Sequence, residues 1–138
     1  MKLLTTLLFT SIILSCSKTN TDVIHTLQVS LESPVANGTL KRGQNAEFKW
    51  TSNATDVSVP VYYGIKIVEI ITPQSPAEAI RGNKPHFEKD SLKPLSFVIV
   101  PSAGAPGFAV DKKYAWEVTG KQKNLSANSS IFSFTIVP

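Results

Sequence analysis

One cysteine, Cys16, stands in a chain of 138 residues. No disulfide can form within the chain, and no set of thiolates is at hand for a structural zinc site. Histidine is nearly as scarce. His25 and His86 lie far apart in sequence with no carboxylate cluster beside them, so no metal site is expected, and both read as surface or strand-edge residues. No Gly-x-Ser-x-Gly elbow and no glycine-rich phosphate loop occur. Glu88, Asp90, Asp111 and Glu117 are scattered, and a glycosidase-type pair needs carboxylates that converge in space. No catalytic residue and no cofactor are therefore expected. Charge is also thin, at 17% of residues with a net +4, and it forms no basic stripe interleaved with aromatics, which excludes nucleic acid as the expected partner. Lys41-Arg42 and Lys112-Lys113 flank Gly or Asp and read as turn residues. No apolar run reaches the roughly 20 residues of a membrane-spanning helix.

What is present is alternation by twos. Leu27, Val29 and Leu31 share one face, with Gln28, Ser30 and Glu32 opposite. Ala46, Phe48 and Trp50 repeat the pattern, followed by Tyr63, Ile65 and Ile67, then Leu95, Phe97 and Ile99. Tyr114, Trp116 and Val118 form a fifth set, and Phe132, Phe134 and Ile136 a sixth. Such a period, carried by β-branched and aromatic residues, marks strands with one buried face. A short strand near residues 86–89 makes about seven.

Turn chemistry separates the runs. Asn37-Gly38 and Arg42-Gly43 break the first ones, and residues 101–107 read as a loop through Gly104, Pro106 and Gly107. Residues 121–130 are polar and read as a loop as well. Asn37, Asn53, Asn124 and Asn128 each open an Asn-x-Ser/Thr sequon and are taken as turn residues. Ser75-Pro76-Ala77-Glu78 is a capping box with proline at the first helical position. It predicts about one turn of helix through Ala79, Ile80 and Arg81, closed by Gly82, on a connection over residues 72–85 that crosses between sheets. Val68 and Ile70, opposite in parity to Ile67, read as an exposed partner-facing strip or a bulge. About seven short antiparallel strands with no long helix predict an all-β sandwich.

The first 16 residues resemble a bacterial lipoprotein signal. Lys2 supplies a positive start, residues 3–14 a short apolar core, and Ile13-Leu14-Ser15-Cys16 the lipobox. The resemblance implies a signal peptide over residues 1–15 and a lipid on the Cys16 sulfur, with two or more acyl chains giving stable anchoring. Residues 16–24 then serve as a tether, whose polar part, residues 17–22, reaches at most about 20 Å. The 123 residues from Cys16 onward are one domain's worth, with the folded part over residues 25–138. Ser17 after the cysteine, rather than Asp, resembles the outer-membrane default; Lys18 is followed by Thr19, Asn20 and Thr21 rather than by the acidic residues of a surface-export signal, so a periplasm-facing position is expected, with surface exposure as the alternative.

Ser33-Pro34 with Asn37-Gly38, Phe48-Lys49-Trp50, Tyr63 with Ile65 and Ile67, and Tyr114-Ala115-Trp116-Glu117-Val118 resemble a fibronectin type III or immunoglobulin-like module, of the kind found in secreted proteins of Bacteroidetes-type bacteria. The resemblance implies that Trp50 packs in the core and that the Tyr114 hydroxyl bonds back to the backbone. It also implies a non-enzymatic envelope interaction or scaffold module. The expected partner is another envelope protein, with a glycan-binding accessory role as the alternative. Tyr62, Phe87 and Phe108 fit the core pattern less well than the other aromatics. They are the candidate ligand contacts if they stand exposed, and the segments over residues 72–87 and 103–108 are expected to carry contacts as well. Asp90-Ser91-Leu92 resembles the O-glycosylation signal of exported Bacteroidetes-type proteins, with Ser91 as acceptor.

Overall fold

The structure is a computed structural model that describes residues 25–101 and 107–138. The signal peptide, Cys16 and the tether lie outside the described residues, as do residues 103–106 of the expected contact loop.

Two sheets face each other. β1 (Val29–Ser33), β3 (Ala46–Ser52) and β6 (Ser96–Ile99) form one sheet, in the order β1-β3-β6. The other has the order β2-β9-β7-β4-β5, built from β2 (Gly38–Lys41), β4 (Tyr62–Glu69), β5 (Phe87–Leu92), β7 (Lys113–Gln122) and β9 (Phe132–Val137), with β8 (Leu125–Asn128) paired to β7. This is an all-β sandwich of the immunoglobulin-like, fibronectin type III-like kind. The alternation of the sequence decides which faces meet. Val29, Leu31, Ala46, Phe48 and Trp50 point in from the small sheet, and Tyr63, Ile65, Ile67, Tyr114, Trp116, Val118, Phe134 and Ile136 from the large one, all buried. Phe48 meets Trp116 and Phe134 edge-on, at 5.1 and 5.7 Å between ring centres, and binds the sheets together at mid-height.

The described residues form nine strands where about seven were expected. One addition is β2, in the stretch read as a break. After β1 the chain turns at residues 35–38, with Asn37 at φ 58 and the Gly38 N–H donating to the Val35 carbonyl at 2.9 Å. Gly38 leaves no room there for a side chain, because a methyl would sit 2.9 Å from that same carbonyl oxygen. The chain thus changes sheets, and β2 pairs parallel with β9. The other addition is β8, in the polar stretch read as a loop. β8 and β9 are one arm of a hairpin with β7, interrupted at residues 129–131, where three residues face Glu117 and Val118. Ser129 repairs the interruption, since its hydroxyl accepts the Val118 N–H at 3.0 Å. Polar composition hid this strand because its outer positions face water on an edge. Leu95, read as an inward strand residue, precedes β6 and is 45% exposed.

The helix begins as its capping box predicts. α1 (Pro76–Gly82) has Ser75 as its cap: the Glu78 N–H donates to the Ser75 hydroxyl, and the Glu78 carboxylate accepts the Ser75 N–H at 2.7 Å. It ends differently. Asn83, not Gly82, closes it, donating its N–H to the Ala79 carbonyl and its side-chain amide to the Glu69 carbonyl. The connection does not cross between sheets. It returns the chain to the same sheet, where β5 pairs antiparallel with β4. The reason is apolar: Ala79 and Ile80 of α1 cover Val68 and Ala115 on the outer face, with Ile70 and Ile131 around them. Val68 is fully buried there, and Ile70 is half-buried, which corrects their reading as an exposed strip.

Candidate functional site

Strand directions give the sandwich two distinct ends. At one, which we call the N-terminal end, the chain enters at His25, and the loops of residues 53–61, 93–95 and 123–124 meet. At the other, the C-terminal end, β2, β6 and β9 finish, β3 begins, and the chain leaves at Pro138.

The C-terminal end carries a cleft of about 320 Å³. Leu40, Ala46, Ile99, Phe108 and Ile136 make its apolar floor, while Lys41, Arg42 and Gln44 stand on its rim. The floor exists because Leu40, Ala46, Ile99 and Ile136 are the outermost inward positions of strands from both sheets at this end, and Phe108 joins them from the loop before β7. The rim turn is fixed by backbone bonds from Arg42 N–H to Val137 and from Gln44 N–H to Lys41, with Gly43 at φ 76, where a β-carbon would be strained. Phe108 is held by its neighbours. Its ring stacks on His86 at 5.2 Å and meets Tyr114 and Phe134 edge-on at 4.9 and 5.5 Å. The Tyr114 hydroxyl accepts the Ala109 N–H at 3.1 Å, so the backbone tie implied for Tyr114 is present and it fixes the residue next to Phe108. Lys112 nearby pairs with Glu69 at 2.9 Å, which pushes the lysine above its ordinary value. Lys41 and Arg42 thus combine positive charge with an apolar floor, suited to a group that is itself apolar with a negative end.

The three aromatic candidates do not converge. Phe87 and Phe108 are half-buried and packed against the core, Phe87 stacking on Phe97 at 5.3 Å. Tyr62 is 40% exposed at the start of β4, at the opposite end, with the Lys93 ammonium 5.8 Å over its ring. Only Phe108 touches the cleft. His86 lies among Phe108 and Tyr114 rather than on the surface, while His25 is exposed. Ser91 is exposed, at φ 59, on the irregular stretch of β5 opposite Gly64, where Asp90 fills the space that a side chain at 64 would need. The acids are also apart. Glu88 and Glu117 flank Lys66 in cross-strand register on the outer face of the large sheet. Burial pushes the Glu117 carboxyl up, Lys66 opposes that, and the Lys66 ammonium donates to the Ile80 carbonyl at 2.7 Å. Among the described residues no three His, Cys, Asp or Glu side chains gather as metal ligands, and no helix is long and apolar enough to cross a membrane.

No protein-family model matches the chain, and no curated protein matches it. Among solved structures it is similar to a fibronectin(III)-like module of Clostridium thermocellum CbhA, at a TM-score of 0.47 and 15% identity, covering 79% of this chain and 94% of that one.

The cleft residues other than Phe108 were not singled out from the sequence. Lys41 and Arg42 read as turn residues, and Ala46, Ile99 and Ile136 as core. The available signal was positional: Leu40, Ala46, Ile99 and Ile136 are each the inward residue nearest a strand end, in four different strands.

Proposed function

We propose that this protein is a lipid-anchored, non-catalytic interaction module of the bacterial cell envelope, held through Cys16 and binding another envelope protein at its C-terminal end. The observation that carries the reading is the cleft, an apolar floor open to solvent beneath Lys41 and Arg42. It lies on the end opposite the one where the chain enters from Cys16, so an anchored domain presents it away from the lipid. An apolar segment bearing a carboxylate fits both its floor and its rim. The glycan alternative needs exposed aromatics on one surface. Phe87 and Phe108 are packed, and Tyr62 stands at the far end, so the geometry favours a protein partner. An outer-membrane position facing the periplasm fits the residues that follow the lipobox.

Two experiments test the reading. Labelled palmitate should enter the wild type and not Cys16→Ala; incorporation in neither removes the anchor. Capture of the acylated protein from its own envelope should retain a partner that is lost with Lys41→Glu plus Arg42→Glu and kept with Lys123→Glu. Retention in all three removes the cleft from the account.

A further inference from the structure

The N-terminal end is built in a different way from the cleft. Val57, on the loop over residues 53–61, is 95% exposed, and Tyr62 and Leu95, at the same end of the sandwich, are 40% and 45% exposed. The loops of this end carry Lys93 and Lys123 against one carboxylate, Asp56; Lys121 stands near the end of β7 next to them, and Asp90 lies further along β5, beside Gly64. The Asp56 carboxylate is already engaged. It accepts hydrogen bonds from Ser58 and pairs with Lys123 at 3.2 Å. Lys93 and Lys121 are left as the unbalanced charge of this end. The loop that lifts Val57 is firmly held: the Gln122 side-chain amide donates to the carbonyls of Asp56 and Val59, at 2.6 and 2.7 Å, and Thr55 bonds to Thr26. A fully exposed valine on a fixed loop, an amphipathic tyrosine and flanking lysines together suit shallow insertion among anionic headgroups.

We infer that this end of the sandwich docks on an anionic phospholipid surface, with Val57 and Tyr62 entering the headgroup layer and Lys93 and Lys121 meeting lipid phosphates. The inference rests on the anchored reading above. Between Cys16 and His25 the chain can extend at most about 30 Å, so an acylated Cys16 keeps this end within reach of the bilayer. The consequence is orientation. Docking stands the domain upright and points the cleft away from the membrane, whereas a tether alone would let it tumble.

The test uses the acylated full-length protein, purified from its host and reconstituted into vesicles of phosphatidylcholine with or without phosphatidylglycerol. A bimane is placed on Val57→Cys or, as the distal control, on Gln44→Cys, and quenching by headgroup spin-labelled lipid is measured. Several-fold stronger quenching at 57 than at 44 is expected. It should be larger with phosphatidylglycerol, and be reduced by salt and by Lys93→Glu plus Lys121→Glu. Intact mass and vesicle flotation report the anchor separately. A protein that carries its acyl mass and floats, yet shows equal quenching at 57 and 44, overturns the docking and leaves the anchor. A protein without acyl mass overturns both.

Discussion

The two ends of this sandwich are made from the same strands, and among the described residues side chains tie the loops together at only one of them. At the N-terminal end polar side chains bond the loops to each other. Thr26 pairs with Thr55, Asn53 donates to Gln28, Gln122 reaches two carbonyls of the loop over residues 53–61, and Lys123 meets Asp56. Trp50 plugs the core beneath them against Tyr63, at 5.7 Å. At the C-terminal end the rim turn makes backbone bonds, and among the described residues no side-chain hydrogen bond spans Leu40, Ile99 and Ile136. The difference teaches that the hydrophobic effect fills the middle of a sandwich, while its ends are settled by polar loop chemistry. Both ends keep a hollow, about 320 Å³ at the C-terminal end and about 380 Å³ at the N-terminal one, where Ser52, Val61, Tyr63, Lys93 and Leu95 line it, so the difference lies in how the surrounding loops are tied.

The largest test of the contrast is a pair of truncations. Trp50→Ala should cost about 3–5 kcal/mol, because it removes a fully buried ring under the end whose loops are tied. Phe108→Ala, on the half-open wall of the cleft, should cost about 1–2 kcal/mol. Urea unfolding of both variants measures the gap, and equal losses would erase it. Gln122→Ala comes next. It strips two loop carbonyls of a buried donor and should cost about 1–3 kcal/mol, with faster amide exchange confined to the N-terminal end. Tyr114→Phe should cost about 1 kcal/mol, and the Ala109 amide, next to the cleft wall, should exchange faster while Thr55 is unchanged.

The smallest effect is pH-dependent. Hydrogen bonds from Ser58, and then Lys123, hold the Asp56 carboxyl down at about 2, below its ordinary value. The stability that it lends is therefore present above about pH 4 and lost as pH falls toward 2. Thermal melts should show Tm declining across that window, with a shallower decline for Asp56→Asn. Because its partner Lys123 is exposed and the pair is screened by solvent, the difference should be slight.

The sequence made the middle of this molecule plain and its ends obscure, for a physical reason. Parity alone places Phe48, Trp50, Ile65, Trp116 and Phe134 in the core, since a strand residue's face follows from its neighbours. The Ser75–Glu78 cap and the Tyr114 tie are equally local. Val68 was misread because it sits beside Ile67 on the opposite face, and only the return of α1 onto that face buries it. The strand β8 was missed because an edge can be polar and still pair. For the cleft, Leu40, Ala46, Ile99 and Ile136 look like any core residues. What distinguishes them is that they end strands of both sheets at one end of the sandwich, and that depends on how distant parts of the chain come together.

The claim that the two ends do opposite work is tested most directly by a photo-crosslinking amino acid placed at Gln44 or at Asn124 of the acylated protein in its native envelope. The account predicts one protein adduct from position 44, abolished by Arg42→Glu, and lipid adducts from position 124. Protein adducts from 124 with none from 44 would contradict it.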